Sequence, residues 1–484
     1  MKNITILLLL LIPVIIFSGC AVGPDFQTPV AEVPDAYHYD SQSSESVIDP
    51  VIDLAIDLEW WTLFDDPRLD ALVSTALQEN KNILIAAARL EEAMTNLSFT
   101  KADLYPQLDL QASAGRGNLI NGQRSPNEQN AFYIAPVVSW EIDFWGKYRR
   151  STEAARAEMM ASEYGYQAAQ LSLVSEVVST YFLLLDFEHR LEVSKRTLTL
   201  REKSLDIIEK RFDKGIIAEI DVHQARIQRE IAAAAIPVFE RSIVKTENAL
   251  SILLGRLPAE FETETGRDQL ISPPNIPIGL PSQLLERRPD IAQSEAALHA
   301  QTARIGIAKS LMFPAISLTG LFGYASNDLS KLTSDGLGWS VTGSLFSPLF
   351  NWKKNINRVE IEKIRTEQAL LQYENTVLSA FREVKDALID VKTYKAQAQA
   401  KKRELTSAAK AAELSQMRYD KGVTSYIEVL EAERSLFNVE LQYSEIRQEY
   451  NNAYVKLYKS LGGGWDISKQ ITLPASTQKA AAEE

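Results

Sequence analysis

The side chains that could support catalysis in this chain are few and widely separated. Cys20 is the only cysteine, which excludes an intrachain disulfide. No glycine-rich motif typical of nucleotide binding is present, and the histidines lack the spacing of metal ligands. The four histidines are His38, His189, His223 and His299. The sequence therefore predicts neither an enzyme nor a protein with a bound metal or cofactor.

Cys20 lies in a context that favours one covalent modification. The apolar run from Ile4 to Phe17 is too short to span a membrane and has the layout of a secretory signal. The next residues, Ser18-Gly19-Cys20, resemble the lipobox of bacterial lipoproteins, in which the cysteine is lipidated and becomes the mature N-terminus. Ala21 is not the aspartate of an inner-membrane retention signal, so we expect the outer membrane. The alternative is ordinary signal cleavage with an unmodified Cys20.

The composition favours a folded protein and argues against nucleic acid as a partner. Of the 484 residues, 24% are charged and 45% are hydrophobic, a balance typical of folded proteins. The formal net charge is −13, whereas nucleic-acid binding needs basic patches that neutralise phosphate.

One short motif occurs twice. RFDKGIIAEIDV spans 211–222, and RYDKGVTSYIEV spans 418–429. The glycine of each copy, Gly215 or Gly422, tolerates the positive φ at which a helix stops and reverses. Either copy alone would indicate only a helix C-cap. Because both follow long stretches nearly free of glycine and proline, they predict the tips of two long helical hairpins.

The same order of elements is predicted in both halves of the chain. Each half has a helix, a strand hairpin, a long helix with coiled-coil spacing, a tip and a return helix. In the first half the predicted helices span 68–105, 147–214 and 216–254, and the predicted strand hairpin spans 106–145 with a loop at 115–130. A helix break is predicted at Pro237. In the second half the predicted helices span 290–313, 352–421 and 425–461, and the predicted strand hairpin spans 314–350.

This order predicts a tandem duplication framed by short segments. The predicted divisions are a signal peptide at 1–19, a lipidated extended arm at 20–59, a first repeat at 60–254, a connector at 255–283, a second repeat at 284–464 and a flexible tail at 465–484.

The predicted strands have the length and pattern of membrane strands. Leu108 and Leu110 alternate with polar residues, and the second run, 132–145, is rich in aromatic residues. Strands of about ten residues cross a bilayer when tilted, and aromatic residues near their ends fit its interfaces. A soluble β-hairpin fits this segment alone equally well.

The number of strands requires more than one chain. Each chain supplies four candidate membrane strands, while unpaired backbone groups are not viable in hydrocarbon. The smallest barrels made by a single chain have about eight strands. If the strands lie in a membrane, the barrel must therefore be shared between chains.

Five motifs spread over the chain are similar to those of one known family. They are CAVGPDF at 20–26, WWTLFDDPRLDALV at 60–73, LPSQLLERRPDI at 280–291, RYDKGVTSYIEVLEAERSLF at 418–437 and LGGGW at 461–465. With these motifs, the chain resembles the outer membrane factors of tripartite efflux systems, the TolC family, and most closely the OprM-like lipoprotein branch.

The resemblance implies a mainly α-helical protein with a membrane β-barrel. Family members are homotrimers with a twelve-stranded barrel, to which each chain gives four strands and two coiled-coil hairpins. They form a passive exit duct, and their tips dock with a periplasmic adaptor, the membrane fusion protein. The adaptor in turn serves an inner-membrane transporter, which we expect to be proton-driven.

The resemblance also implies roles for residues at the two tips. The positions expected to dock the adaptor are Arg211, Asp213, Lys214, Gly215, Arg418, Asp420, Lys421 and Gly422. Ile427 and Glu431 match constriction positions of the OprM-like branch, and Glu428 matches an acidic gate position of TolC. Asp221 is the gate candidate that the first copy offers, and Thr424 stands where TolC has an arginine of its closed-state network. Symmetry copies of a carboxylate around a throat would attract cations. Alternatively, Glu428 and Glu431 are solvated charges on a helix face.

Two other functions remain as alternatives. The same duct could serve type I protein secretion, with an ABC exporter as its partner. The chain could instead be a coiled-coil periplasmic adaptor or a structural lipoprotein, which predicts no membrane strands and no pore.

Overall fold

The computed structural model describes residues 21–30, 59–120, 123–261, 287–334 and 336–463. The predicted signal peptide, Cys20, the predicted tail and most of the predicted arm and connector lie outside these residues. The described chain forms two compact units, and each takes segments from both predicted repeats. The strand unit comprises Arg89–Glu163, Gln293–Asn375 and the described part of Met1–Val30. The helical unit comprises the described parts of Ala31–Ala88, Tyr164–Ala292 and Thr376–Glu484.

The strand unit is built on one antiparallel sheet. Its strands are β1 (Gln107–Ile120), β2 (Gln123–Ile142), β3 (Ala315–Ser326) and β4 (Leu337–Phe346), with a short 3₁₀ helix at Leu329–Lys331. They pair in the order β1-β2-β3-β4, so β1 and β4 are the two edges. The hairpin of one repeat therefore pairs with the hairpin of the other through β2 and β3, from Ile142 opposite Ile316 to Phe132 opposite Ser326.

The predicted loop at 115–130 was wrong for most of its length. β1 continues to Ile120 and β2 begins at Gln123, with a register shift between Gly117 and Leu119. The prediction rested on polar side chains, but backbone groups make the hydrogen bonds of a β ladder. Polar residues therefore extend this hairpin beyond the length that a bilayer requires.

Apolar side chains of the sheet remain uncovered within this chain. Every residue of β4 is exposed, and Trp339 is 75% exposed. Leu108 and Leu110 on β1 are about equally exposed, at 70% and 71%. A large exposed apolar surface marks a contact with lipid or with another protein chain.

The first predicted helix is two helices that meet at Asn80. They are α1 (Pro67–Glu79) and α2 (Lys81–Ala102), and a 3₁₀ helix at Trp60–Phe64 precedes them. Asn80 has extended backbone, and its Oδ1 accepts hydrogen bonds from the N–H groups of Asn82 and Ile83, at 2.9 and 3.2 Å. Its Nδ2 donates to the carbonyl oxygen of Leu253 at 2.8 Å. Asn80 thus caps α2 and prevents one continuous helix.

The two predicted long hairpins are confirmed. Their helices are α3 (Lys147–Asp213) with α4 (Glu219–Leu253), and, after α5 (Pro289–Ser310), α6 (Lys354–Asp420) with α7 (Tyr426–Ser460). Both outgoing helices have 67 residues and both return helices have 35, as a duplication predicts. Among the described residues, α3 alone contains a window long and apolar enough to cross a membrane, and half of that window is buried inside the protein.

The predicted helix break at Pro237 was wrong. α4 continues through Pro237 to Leu253. Proline removes one backbone hydrogen bond from a helix and usually bends it. Ala232 and Phe239, on either side of Pro237, are both buried, so tertiary packing holds the helix together at this point.

A core of aromatic and aliphatic residues holds the helical unit together. Trp60 stacks on Tyr458 with ring centroids 5.1 Å apart, and Phe64 packs edge-on against Phe182 at 5.0 Å. The two partners of the first pair come from different repeats. Each fully buried large side chain contributes roughly 1.5–3 kcal/mol, so the contact between Trp60 and Tyr458 helps to join the two halves of the chain.

All four hairpin helices end in the same hydrogen-bonded motif. At the first tip, Ile216 N–H donates to the carbonyl oxygen of Arg211 at 3.0 Å, and Gly215 N–H donates to that of Phe212 at 2.7 Å. This is the Schellman motif, which requires positive φ at the glycine. Gly215 and Gly422 have φ of 70° and 71°, which confirms the prediction from the repeated motif.

A pair of glycine substitutions separates backbone strain from steric collision. Gly215 and Gly255 have nearly the same φ, 70° and 69°. A Cβ at Gly215 would have no neighbour within 4 Å among the described residues, whereas one at Gly255 would collide with the Glu79 carbonyl. Gly215→Ala should therefore cost about 1–2 kcal/mol of backbone strain, and Gly255→Ala should cost more. Thermal unfolding measures both variants, and equal losses of Tm would contradict this explanation.

Candidate functional site

The candidate site consists of the two hairpin tips of the helical unit. The Asp-Lys-Gly residues of both tips are exposed, and so is Arg418, whereas Arg211 is half-buried. A Cβ at Gly215 or Gly422 would meet no atom of the described chain within 4 Å, so within this chain the positive φ and not packing requires these glycines. Apart from Arg211, the charged residues predicted to dock a partner are therefore available at the surface of the described chain.

The structure brings the two tips into contact through aromatic residues. The guanidinium carbon of Arg211, from the first tip, lies 5.0 Å from the ring centroid of Tyr419 in the second. The ring of Tyr419 lies 5.3 Å from that of Tyr426. Tyr426 belongs to a small apolar core, and Tyr419 packs against it. The other buried members of this core are Ile208, Val222, Ala225, Val429 and Leu430. Burial, together with the nearby charge of Glu433, raises the pKa of Tyr426.

Two of the predicted gate residues face away from this core. Val429 and Leu430 are buried on α7, while Ile427 is 52% exposed and Glu431 is also exposed. Ile427 and Glu431 are four residues apart, so they share one face of the helix. Glu431 forms an ion pair with Arg434, with 2.6 Å between Oε2 and Nη2. Because residues three apart on a helix are neighbours, the ion pair of Glu431 with Arg434 could have been predicted from the sequence.

The other two predicted gate carboxylates have roles within the tips. Glu428 accepts a hydrogen bond from the hydroxyl of Thr424, and its Oε1 lies 3.6 Å from Nε of Arg418. Asp221 and Glu428 both lie in the first turn of a return helix, α4 or α7. Carboxylates at that position stabilise the helix N-terminus. Thr424, which stands where TolC has an arginine, therefore makes a contact within its own tip.

The described histidines lie outside any metal-binding cluster. Among the described residues, no group of three or more His, Cys, Asp or Glu side chains could hold a metal ion. His299 stacks on Phe26 with centroids 4.4 Å apart, and its Nε2 lies 3.1 Å from Oε1 of Glu153. His223 lies beside Glu219 on the surface of α4.

The segment that follows Cys20 belongs to the strand unit and is bound there. Val22 N–H donates to the carbonyl oxygen of Trp145 at 3.0 Å. Nη2 of Arg150 lies 2.6 Å from Oδ1 of Asp25. Cys20 itself lies outside the described residues, but its neighbours are fixed next to the junction between β2 and α3.

The chain is similar to known efflux channels over nearly its whole length. The sequence model for the family described as Outer membrane efflux protein matches residues 72–256 and 280–463. The toluene efflux pump outer membrane protein TtgI of Pseudomonas putida is 32% identical over 464 residues, which cover 94% of this chain and 97% of TtgI. The cation efflux system protein CusC of Escherichia coli is 32% identical over 448 residues, which cover 92% of this chain and 97% of CusC.

The fold agrees with the sequence comparisons. The crystal structure of the Campylobacter jejuni CmeC outer membrane channel aligns with a TM-score of 0.83 at 28% identity, over 96% of this chain and 98% of that chain. Four antiparallel strands and two long helical hairpins in a tandem repeat define a TolC-like outer-membrane channel. This chain belongs to the outer membrane efflux protein family. It is the channel component of an efflux system in the outer membrane, and it catalyses no reaction.

The contact between Thr424 and Glu428 should stabilise the second tip locally. Thr424→Val removes the hydroxyl donor but keeps the shape, and should cost about 1 kcal/mol because Glu428 is partly solvated. Amide hydrogen exchange in 421–428 should then be roughly fivefold faster. Thr424→Ser keeps the donor and should exchange at the original rate. Identical rates in all three proteins would show that the hydrogen bond has no stabilising role.

Proposed function

We propose that three copies of this chain form the outer-membrane duct of a tripartite efflux pump. The observation that carries this proposal is the sheet of four strands with open edges at β1 and β4. In a membrane, those edges must pair with other strands, because unsatisfied backbone groups cost several kcal/mol each in hydrocarbon. Copies of the same sheet can close the barrel, and the resemblance to the TolC family favours three copies and twelve strands.

An exposed apolar stripe on α4 supports contact between copies in the helical unit. Ile220, Ile227, Ile231 and Val238 follow one another at steps of seven and four residues, and all are exposed. This is the spacing of a coiled-coil seam. A second helical hairpin is the partner that such a seam fits, so the same association that closes the sheet would also cover this stripe.

The tips are the surfaces that we assign to the periplasmic adaptor. Their charged residues, among them Asp213, Lys214, Asp420 and Lys421, are exposed. Backbone at both tips is fixed by the Schellman hydrogen bonds, so the two tips present similar rigid surfaces. The adaptor would connect the duct to an inner-membrane transporter, for which proton-driven transport is our expectation.

The gate that we propose is formed by Ile427 and Glu431. Both side chains point away from the core of their own chain, as residues that line a shared throat must. Symmetry copies of Glu431 would place negative charge around the narrow opening and favour cations. Asp221 and Glu428 would contribute mainly by stabilising the tips.

The cargo that we propose is a small solute and not a polypeptide. The names of TtgI and CusC indicate toluene efflux and cation efflux, respectively. Because related channels serve such different solutes, we expect the cargo to be selected at the pump and not in the channel wall.

Conductance in planar bilayers tests the proposed function directly. Purified protein should give discrete, cation-preferring channels. Glu431→Gln should reduce the ratio of cation to anion permeability by about half or more, because it removes charge from the throat. Glu428→Gln is the matched control and should have a smaller effect. Absence of any conductance would contradict the channel, and equal effects of both variants would contradict the assignment of the gate.

We assign lipid attachment to Cys20. The bound segment after it, including Val22 and Asp25, would hold the lipidated residue close to the strand unit. Two or more acyl chains are needed for stable anchoring. Cys20→Ser should abolish incorporation of radiolabelled palmitate, whereas His38→Ser should not. Unchanged labelling of the Cys20 variant would exclude this residue as the attachment site.

A further inference from the structure

A buried arginine in the helical unit connects three helices behind the proposed gate. Arg201 lies on α3 and is only 3% exposed. Its Nη1 donates to the carbonyl oxygen of Gln228 on α4 at 2.5 Å. Its guanidinium carbon lies 4.9 Å from the ring centroid of Phe437 on α7. One side chain thus joins both helices of the first hairpin to the return helix of the second.

The buried polar atoms at Arg201 are only partly satisfied by hydrogen bonds. Its Nε and Nη2 have no hydrogen-bond partner in the described part of the chain, and neither has Oε1 of Gln228. Glu433, four residues before Phe437, interacts electrostatically with Arg201. Burial raises the pKa of Glu433, and the positive charge of Arg201 opposes that shift. Because residues four apart share a helix face, Glu433 lies on the same side of α7 as Phe437, whose ring contacts the guanidinium.

The position of this contact on α7 relates it to the gate. The face of α7 that carries Val429, Leu430 and Phe437 is buried, and the opposite face carries Ile427 and Glu431. A rigid helix cannot rotate one face without rotating the other. Contacts that fix the buried face therefore determine the direction in which Ile427 and Glu431 point.

We propose that Arg201 is a positioning residue of the gate and that it clamps α7 to the first hairpin together with Glu433 and Phe437. This inference rests on the proposed function, because it assigns a role relative to the gate. The planar guanidinium can hydrogen bond to Gln228 and stack on Phe437 at the same time, which a lysine cannot do. Arg201 is buried and Glu433 is half-buried. Removing one of two such interacting charges leaves the other uncompensated, whereas removing both does not.

Single-channel recording of four variants tests the clamp. Arg201→Met and Glu433→Gln should each raise the ratio of open to closed channels at least tenfold, or about 1.4 kcal/mol. The double variant should return the ratio to within about threefold of the unmodified protein, since neither charge is left unpaired. Arg196→Met is the matched control. Arg196 also joins α3 to α7, through a 2.7 Å ion pair with Glu440, but its side chain is 52% exposed. It should leave the ratio unchanged.

Hydrogen exchange in 426–437 gives a readout that does not depend on conduction. Arg201→Met should accelerate exchange there at least tenfold, and Arg196→Met should not. Faster exchange with unaltered gating would restrict Arg201 to a structural role and overturn the proposal. Equal exchange in both variants would overturn the clamp itself. If the unmodified protein failed to conduct, the proposed function would fall, and the exchange result would still decide whether the clamp exists.

Should Arg201→Met fail to assemble, Arg201→Lys replaces it in both experiments. Lysine retains the charge but loses the stacking and the forked hydrogen bonds. The proposal predicts an intermediate increase in open channels and in exchange. A lysine variant identical to the unmodified protein in both readouts would show that charge alone matters, which contradicts the clamp.

Discussion

The need to pair every backbone group in a membrane governs this structure. A four-stranded sheet leaves two edges, β1 and β4, with unpaired N–H and C=O groups. In water such edges are tolerated, but in hydrocarbon each unpaired group costs several kcal/mol. In the trimer that we propose, strands of the other copies pair with these edges. The exposed apolar residues of β4 and the exposed stripe on α4 have the same explanation, because each is a surface that association would cover.

The duplicated sequence provides a simple way to build such an assembly. Each repeat contributes one strand hairpin and one helical hairpin, and the repeats combine within each unit. The core pair of Trp60 and Tyr458 and the tip pair of Arg211 and Tyr419 both join residues from different repeats. Neither repeat is therefore expected to be stable alone. The two repeats of each chain therefore fold together as a pseudo-symmetric pair.

The features that the sequence predicted well are those with local physical causes. Helices without glycine or proline, and a glycine where positive φ is required, depend on near neighbours. The helix boundary at Asn80 was missed because its cap is completed by Leu253, far away in the chain. Pro237 was misread because tertiary packing maintains the helix around it. The strand extension beyond Gly115 was missed because backbone pairing is independent of side-chain polarity.

In the candidate site, too, local features were predicted from the sequence and tertiary contacts were not. The tips were located by their repeated motif, whereas the gate role of Ile427 and Glu431 was predicted from a family resemblance and stays a prediction. Nothing in the sequence distinguishes Arg201 from the many surface arginines, because its burial results from three helices that meet around it. The contact between Thr424 and Glu428 could not be predicted from the sequence either, since it depends on how the tip turns.

The mass of the assembly tests the central claim most directly. Protein extracted from outer membranes in mild detergent can be weighed intact by native mass spectrometry. We predict one species with three copies of the chain and no stable single copy. A folded, membrane-extracted monomer would contradict this prediction, because its sheet would then tolerate open edges in the membrane.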